Sequence, residues 1–136
     1  MTTRAIMIHS LDDARAALAA AGALGRPVTL LSGPGAAAYA GALWFRRVVE
    51  LACAEYPGVE ATAVLDCADA PGHVLGALRA GLRRVAFDGA PEMARKLSEI
   101  ARAQGAELVT EPFATFDPRG ERDPVAACCA FLAAAS

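Results

Sequence analysis

The stretch Ala61-Thr62-Ala63-Val64-Leu65-Asp66-Cys67-Ala68-Asp69 is a short apolar run that stops abruptly in two acids and a thiol. A parallel strand covered on both faces reads as such a run, and open α/β sheets bind ligands just beyond the carboxyl ends of their strands. Any chemistry is therefore expected where Asp66 follows Leu65.

Working outward, the same alternation of short apolar runs and helical patterns extends to both ends. Strands are predicted at Arg4 to His9, Val28 to Ser32, Arg84 to Asp88 and Glu107 to Thr110. The first helix begins at Ser10, with Asp13 three residues on in a capping-box arrangement. It presents Leu11, Ala14, Leu18 and Ala21 on one face and stops at Gly22 to Gly25. A second helix over Tyr39 to Tyr56 carries Leu43, Trp44, Val48, Leu51 and Cys53 at helical spacing as its inner stripe. The helix opened by Pro71 turns Val74, Leu75 and Leu78 inward, and the one near Pro91 does so with Met93, Leu97 and Ile100. Glu111 to Arg122 reads as a polar, proline-bearing loop, after which Asp123 and Pro124 open a last helix through Val125, Cys128, Phe131 and Leu132.

Strands alternating with helices imply a parallel sheet joined by right-handed crossovers, here in a single α/β domain over 1–136. Five β-α units favour a flavodoxin-like, five-stranded sheet in the order 2-1-3-4-5, whose own helices cover both faces. The alternative is half of a (β/α)8 barrel, with strands in sequential order and an apolar inner face that a second copy would cover, giving a homodimer.

At 136 residues the chain fits one domain able to bury roughly two-thirds of the surface its unfolded form exposes. A formal net charge of −2 with interspersed charges leaves no electrostatic footprint for nucleic acid or an acidic membrane. No segment approaches the ~18 apolar residues that span a bilayer, and the amino end lacks a secretion-signal pattern, so a cytoplasmic location is expected. Cys53, Cys67, Cys128 and Cys129 show neither zinc-knuckle nor redox spacing and suit reduced, buried packing. Lys96 is the only lysine and sits in a helical pattern away from the strand ends, which argues against imine-forming chemistry.

The candidate ligand-binding residues are Ser32, Gly33, Gly35 and Asp88, all at the ends of predicted strands. Glycines in the loop after the second strand let the backbone approach a ligand such as a phosphate, although the chain has neither a Gly-x-Gly-x-x-Gly fingerprint nor a Lys-Ser/Thr ending. His9 and Cys67, with a nearby acid, form a conceivable metal-ligand set at the same edge, zinc being the metal such donors suit.

The order of these features resembles the N-terminal half of class II fructose-bisphosphate and tagatose-bisphosphate aldolases, which are metal-dependent (β/α)8 barrels. The resemblance is carried by the first helix into Pro27 and Val28, by Ser32-Gly33-Pro34-Gly35-Ala36-Ala37 with Tyr39, Ala40 and Gly41, by Leu65 and Asp66, and by Gly81 through Val85 to Asp88 and Gly89. It implies that Asp66 is the acid/base residue. In the family a zinc-binding histidine follows that aspartate, and here Cys67 stands in its place. The family's remaining ligands and phosphate loops lie in a second barrel half that has no counterpart in this sequence.

The expectation is a small α/β protein, not a competent aldolase, that binds a small anionic or phosphorylated ligand or a protein partner and needs no cofactor. The alternative is a metal-dependent, zinc-using lyase whose site is completed in a homodimer.

Overall fold

The computed structural model describes residues 4–134. The elements run β1 (Ala5–Ile8), α1 (Leu11–Leu24), β2 (Val28–Ser32), α2 (Ala36–Tyr39), α3 (Ala42–Glu55), β3 (Ala61–Asp66), α4 (Pro71–Arg79), β4 (Arg84–Ala86), α5 (Pro91–Ala103), β5 (Glu107–Val109), β6 (Thr115–Phe116) and α6 (Pro124–Ala133). The strands hydrogen-bond in the order β5-β4-β3-β2-β1-β6.

This is a parallel α/β architecture, but it corrects the predicted sheet in two respects. Each crossover from β1 to β5 moves one strand further in the same direction, so there is no reversal and no 2-1-3-4-5 order. The sheet also has six strands rather than five, because the stretch read as a loop contains β6, which pairs with β1 in parallel through Ala5 with Thr115 and Ile6 with Phe116. Sequential order is that of neighbouring barrel strands, the geometry of the alternative reading.

The chain divides into two compact units, one built from 4–31, 47–62 and 113–134 and the other from 32–46 and 63–112. In the first unit α1 packs against α6. Ser10 accepts the Asp13 amide N–H at 3.1 Å as the N-cap of α1, and the Asp13 carboxylate reaches back to the His9 amide N–H at 2.8 Å, a capping box shifted by one residue. At the other end Gly25 takes a left-handed conformation (φ 63) that lets the chain leave the helix. The C-terminal carbonyls of α6 are met by guanidinium groups, Arg4 on Phe131 O at 3.4 Å and Arg26 on Leu132 O at 2.8 Å, which suits the negative helix end. Phe131 also stacks on Phe116 with ring centroids 5.5 Å apart, and Arg4 lies over its ring at 4.7 Å.

In the second unit β3, β4 and β5 pair in parallel, bringing Leu65, Val85 and Leu108 into one row and Asp66, Ala86 and Val109 into the next. The first row is buried, with α4 packed on β4 and α5 on β5. Arg84 and Glu107 lie opposite each other and form an ion pair at 2.9 Å.

Two helical stripes are rotated from their predicted phase. On α3 the buried residues are Phe45, Val48 and Ala52, whereas Leu43, Trp44 and Leu51 are exposed. On α5 Leu97 and Ala101 are buried, and Met93 and Ile100 are exposed. Among the described residues no helix is long and apolar enough to cross a membrane. All four cysteines are free.

Candidate functional site

The second unit gathers Ser32, Asp66, Cys67 and Asp88 where β2, β3 and β4 end. A chain of hydrogen bonds links them. The Ser32 hydroxyl, almost fully buried, accepts the Asp66 amide N–H at 2.8 Å and donates to Gly33 O at 3.1 Å. Asp66 Oδ1 accepts the Ala68 N–H at 2.7 Å, and Ala68 O accepts the Asp88 N–H at 2.9 Å. The carboxyl end of β3 is thus tied to β2 on one side and to the residues after β4 on the other.

Within this frame the candidate residues differ in what they have left to offer. Ser32 spends its proton and one lone pair on the backbone, so it acts first as a clamp. Asp66 is half-buried, and its Oδ2 has no hydrogen-bond partner among the described residues. Asp88 is exposed beside it in the chain of bonds and is held through its backbone, so its carboxylate is free to face a ligand. Gly89 follows because Phe87 folds over it: a Cβ there would lie 2.4 Å from the Phe87 ring.

Gly33, Pro34 and Gly35 form the turn from β2 into α2. The Ala36 N–H donates to Gly33 O at 3.1 Å, and Gly35 has φ 65 with nothing within 4 Å of the position a Cβ would take. The loop surface is therefore open at Gly35, and its conformation selects glycine.

Of the two predicted metal donors, Cys67 lies in this unit and His9 in the other. Cys67 is 1% exposed, its Sγ lies 3.9 Å from its neighbour Leu65 O, and burial together with the Asp66 charge pushes its thiol up to about 12. His9 belongs to the first unit, where it ends β1 and its Nε2 lies 3.2 Å from Asp117 Oδ2. Arg119 closes on the same carboxylate at 3.0 Å. Partial burial works against ionising Asp117, but the backbone and side chain of Arg119, then His9, outweigh it and hold the carboxyl below the ordinary carboxylate range. Among the described residues no three His, Cys, Asp or Glu side chains gather as a metal would require, so zinc does not fit the donors present.

Asp117 is the functional-looking group that the sequence reading passed over. Its only sequence signal was an acid inside a polar loop, and its partner His9 lies more than a hundred residues earlier.

No family model matches the sequence, and no curated protein does. Solved structures do match. One is a protein assigned as a fructose-1,6-biphosphate aldolase from Coccidioides immitis, with 27% identity over 79% of this chain and 40% of that one, at a TM-score of 0.65. Another is the YdjI aldolase from Escherichia coli K12, with 13% identity over 97% of this chain and 51% of that one, at a TM-score of 0.68. The chain therefore spans about half the length of the aldolases it matches, and it is similar in structure to fructose-bisphosphate aldolase-like proteins at half their size.

Proposed function

We propose that this chain is a non-catalytic binding module of aldolase-like descent, which holds a small phosphorylated polyol at the carboxyl edge of β2, β3 and β4. The observation that carries the reading is the Asp66 carboxylate. One oxygen is fixed by the Ala68 N–H, the backbone N–H of the same residue is held by Ser32, and the second oxygen is unpartnered. A carboxylate so held accepts a hydroxyl proton in a defined direction, and Asp88 offers a second acceptor. The phosphoryl end belongs at the Gly33-Pro34-Gly35 turn, where backbone approaches without a Cβ in the way. Aldol cleavage is not part of the reading, because the buried Cys67 stands where the aldolases it resembles carry a metal-binding histidine, and among the described residues no three metal donors gather.

The test is a melting-temperature screen with phosphorylated sugars, sugar alcohols and inorganic phosphate. A rise with the phosphorylated polyols that is lost in both Gly35→Val and Asp66→Ala, each compared with its own unliganded baseline, supports the assignment. Absence of a shift across the panel defeats it.

A further inference from the structure

We infer a second binding site, in the second unit and sharing no residue with the one above, that takes an apolar ligand ending in a carboxylate. A trough of about 540 Å³ runs between the α2–α3 corner and α4, a volume within the range of small-molecule sites. Small residues line much of it, with Gly72 and Gly76 in α4 and its C-cap Ala80 each four residues apart, and Ala37 and Ala40 from α2 and its C-cap. Its wall is Leu43 and Trp44, large apolar side chains that are 69% and 37% exposed, and Tyr39 close by is 69% exposed. Apolar residues of this size crowded at one corner mark an interaction site.

The charges decide the class of ligand. Among the described residues, His73 and Arg79 are the only titratable side chains that line the trough, and no acid does. The Arg79 side chain makes no hydrogen bond or ion pair among the described residues, and its Nη2 lies 4.0 Å from the position of a Cβ on Gly76, one of the residues that line the trough. An unpaired guanidinium above an apolar trench is complementary to a carboxylate carried on a hydrocarbon or aromatic body, since the fork of N–H donors matches two carboxylate oxygens. A neutral ligand would leave that cation unused, and a cationic one would face it.

The chain has one tryptophan, and it lines the trough, so occupancy reads out directly. The experiment is a Trp44 fluorescence titration with sodium decanoate below its micelle threshold, beside decanol and decyltrimethylammonium. The expected result is a saturable change with decanoate, weakened about tenfold in Arg79→Gln and abolished in Gly76→Leu. Gly76 lies inside a helix with no side chain closer than that of Arg79, so leucine fills the trough without disturbing the fold. Gly72→Leu, where nothing lies within 4 Å, is the second filling variant. Equal response to all three amphiphiles, a response untouched by both filling variants, or no saturable response overturns the inference.

Discussion

Ala68 adopts φ 51, a left-handed conformation that among the described residues no other non-glycine shares. A Cβ in that region costs roughly 1 kcal/mol or more against glycine. What holds Ala68 there is the pair of bonds it makes, its N–H to Asp66 Oδ1 and its carbonyl to the Asp88 N–H. Ala68→Gly is therefore expected to stabilise the protein by about 1 kcal/mol, seen as a melting temperature higher by about 2–4 °C. An unchanged or lower value would mean that the alanine methyl makes packing contacts worth more than the strain. Ser32→Ala acts in the opposite direction. It strips the acceptor from a backbone N–H, and chemical denaturation should show a loss of about 1–3 kcal/mol. Cys67 adds a chemical check. Burial and the Asp66 charge raise its thiol to about 12, so little thiolate is present at pH 8, and the side chain is almost fully buried. Mass-resolved alkylation of the folded protein should leave Cys67 unmodified while a denatured sample reacts fully. Brisk labelling in the folded state would show that Cys67 is more accessible and more acidic than its surroundings allow.

Among the elements, caps and breakers were legible and helix phase was not. Ser10 with Asp13, Gly25 and Asp123 all act where local chemistry placed them, since each needs only neighbours within a turn. On α3, however, Val48 is buried as read, but the sets that flank it, Leu43, Trp44 and Leu51 on one side and Phe45 and Ala52 on the other, both satisfy helical periodicity. Only what lies opposite the helix decides between them, and the buried set contains Ala52, which hydrophobicity alone ranks below Leu51. The same substitution of a small residue for a large one happened on α5, where Ala101 is buried and Ile100 is not. β6 escaped notice because two residues cannot display alternation, and its pairing with β1 is set by sequence-distant contacts. The His9 and Asp117 contact just beyond that pairing carries a pH dependence. Asp117 titrates lower in the folded protein than in the unfolded chain, so the folded form binds fewer protons between the two values. Its contribution is then present above the unfolded carboxylate value near 3.9 and is lost as pH falls through the lower folded one. Asp117→Asn should flatten the acid limb of stability in that interval and leave the neutral range nearly unaffected, as measured by urea midpoints across pH. An identical acid limb in the variant would assign the effect to other carboxylates.

At the scale of the whole molecule, the alternation of strand and helix was readable because each element announces its own period. Strand order was not readable, since the same β-α units build either a sheet that reverses at its first strand or one that advances steadily. The candidate edge residues Ser32, Asp66 and Asp88 were legible for the same reason as the strands, because each closes an apolar run. His9 was legible in the same way, as the residue that closes the apolar run of β1, and it belongs to the first unit. The observed order also gives β6 and α6 a role beyond their length. β6 occupies the outer side of β1, where the Ala5 N–H donates to Ala114 O at 3.0 Å, and α6 packs on α1, whose inward residues Ala14, Ala17, Leu18 and Ala21 are fully buried. Removing 113–134 would bare a strand edge and an apolar helix face together, the combination that drives chains to associate. A chain ending at Pro112 is expected to elute as oligomers and to bind anilinonaphthalene sulfonate. The full chain carrying Phe131→Ala, which loses the stack on Phe116 and the Arg4 contact over the ring, should retain the elution volume of the unaltered protein with a lowered melting temperature. A shortened chain that eluted at its own monomer mass and melted cooperatively would show that β1 and α1 need neither covering.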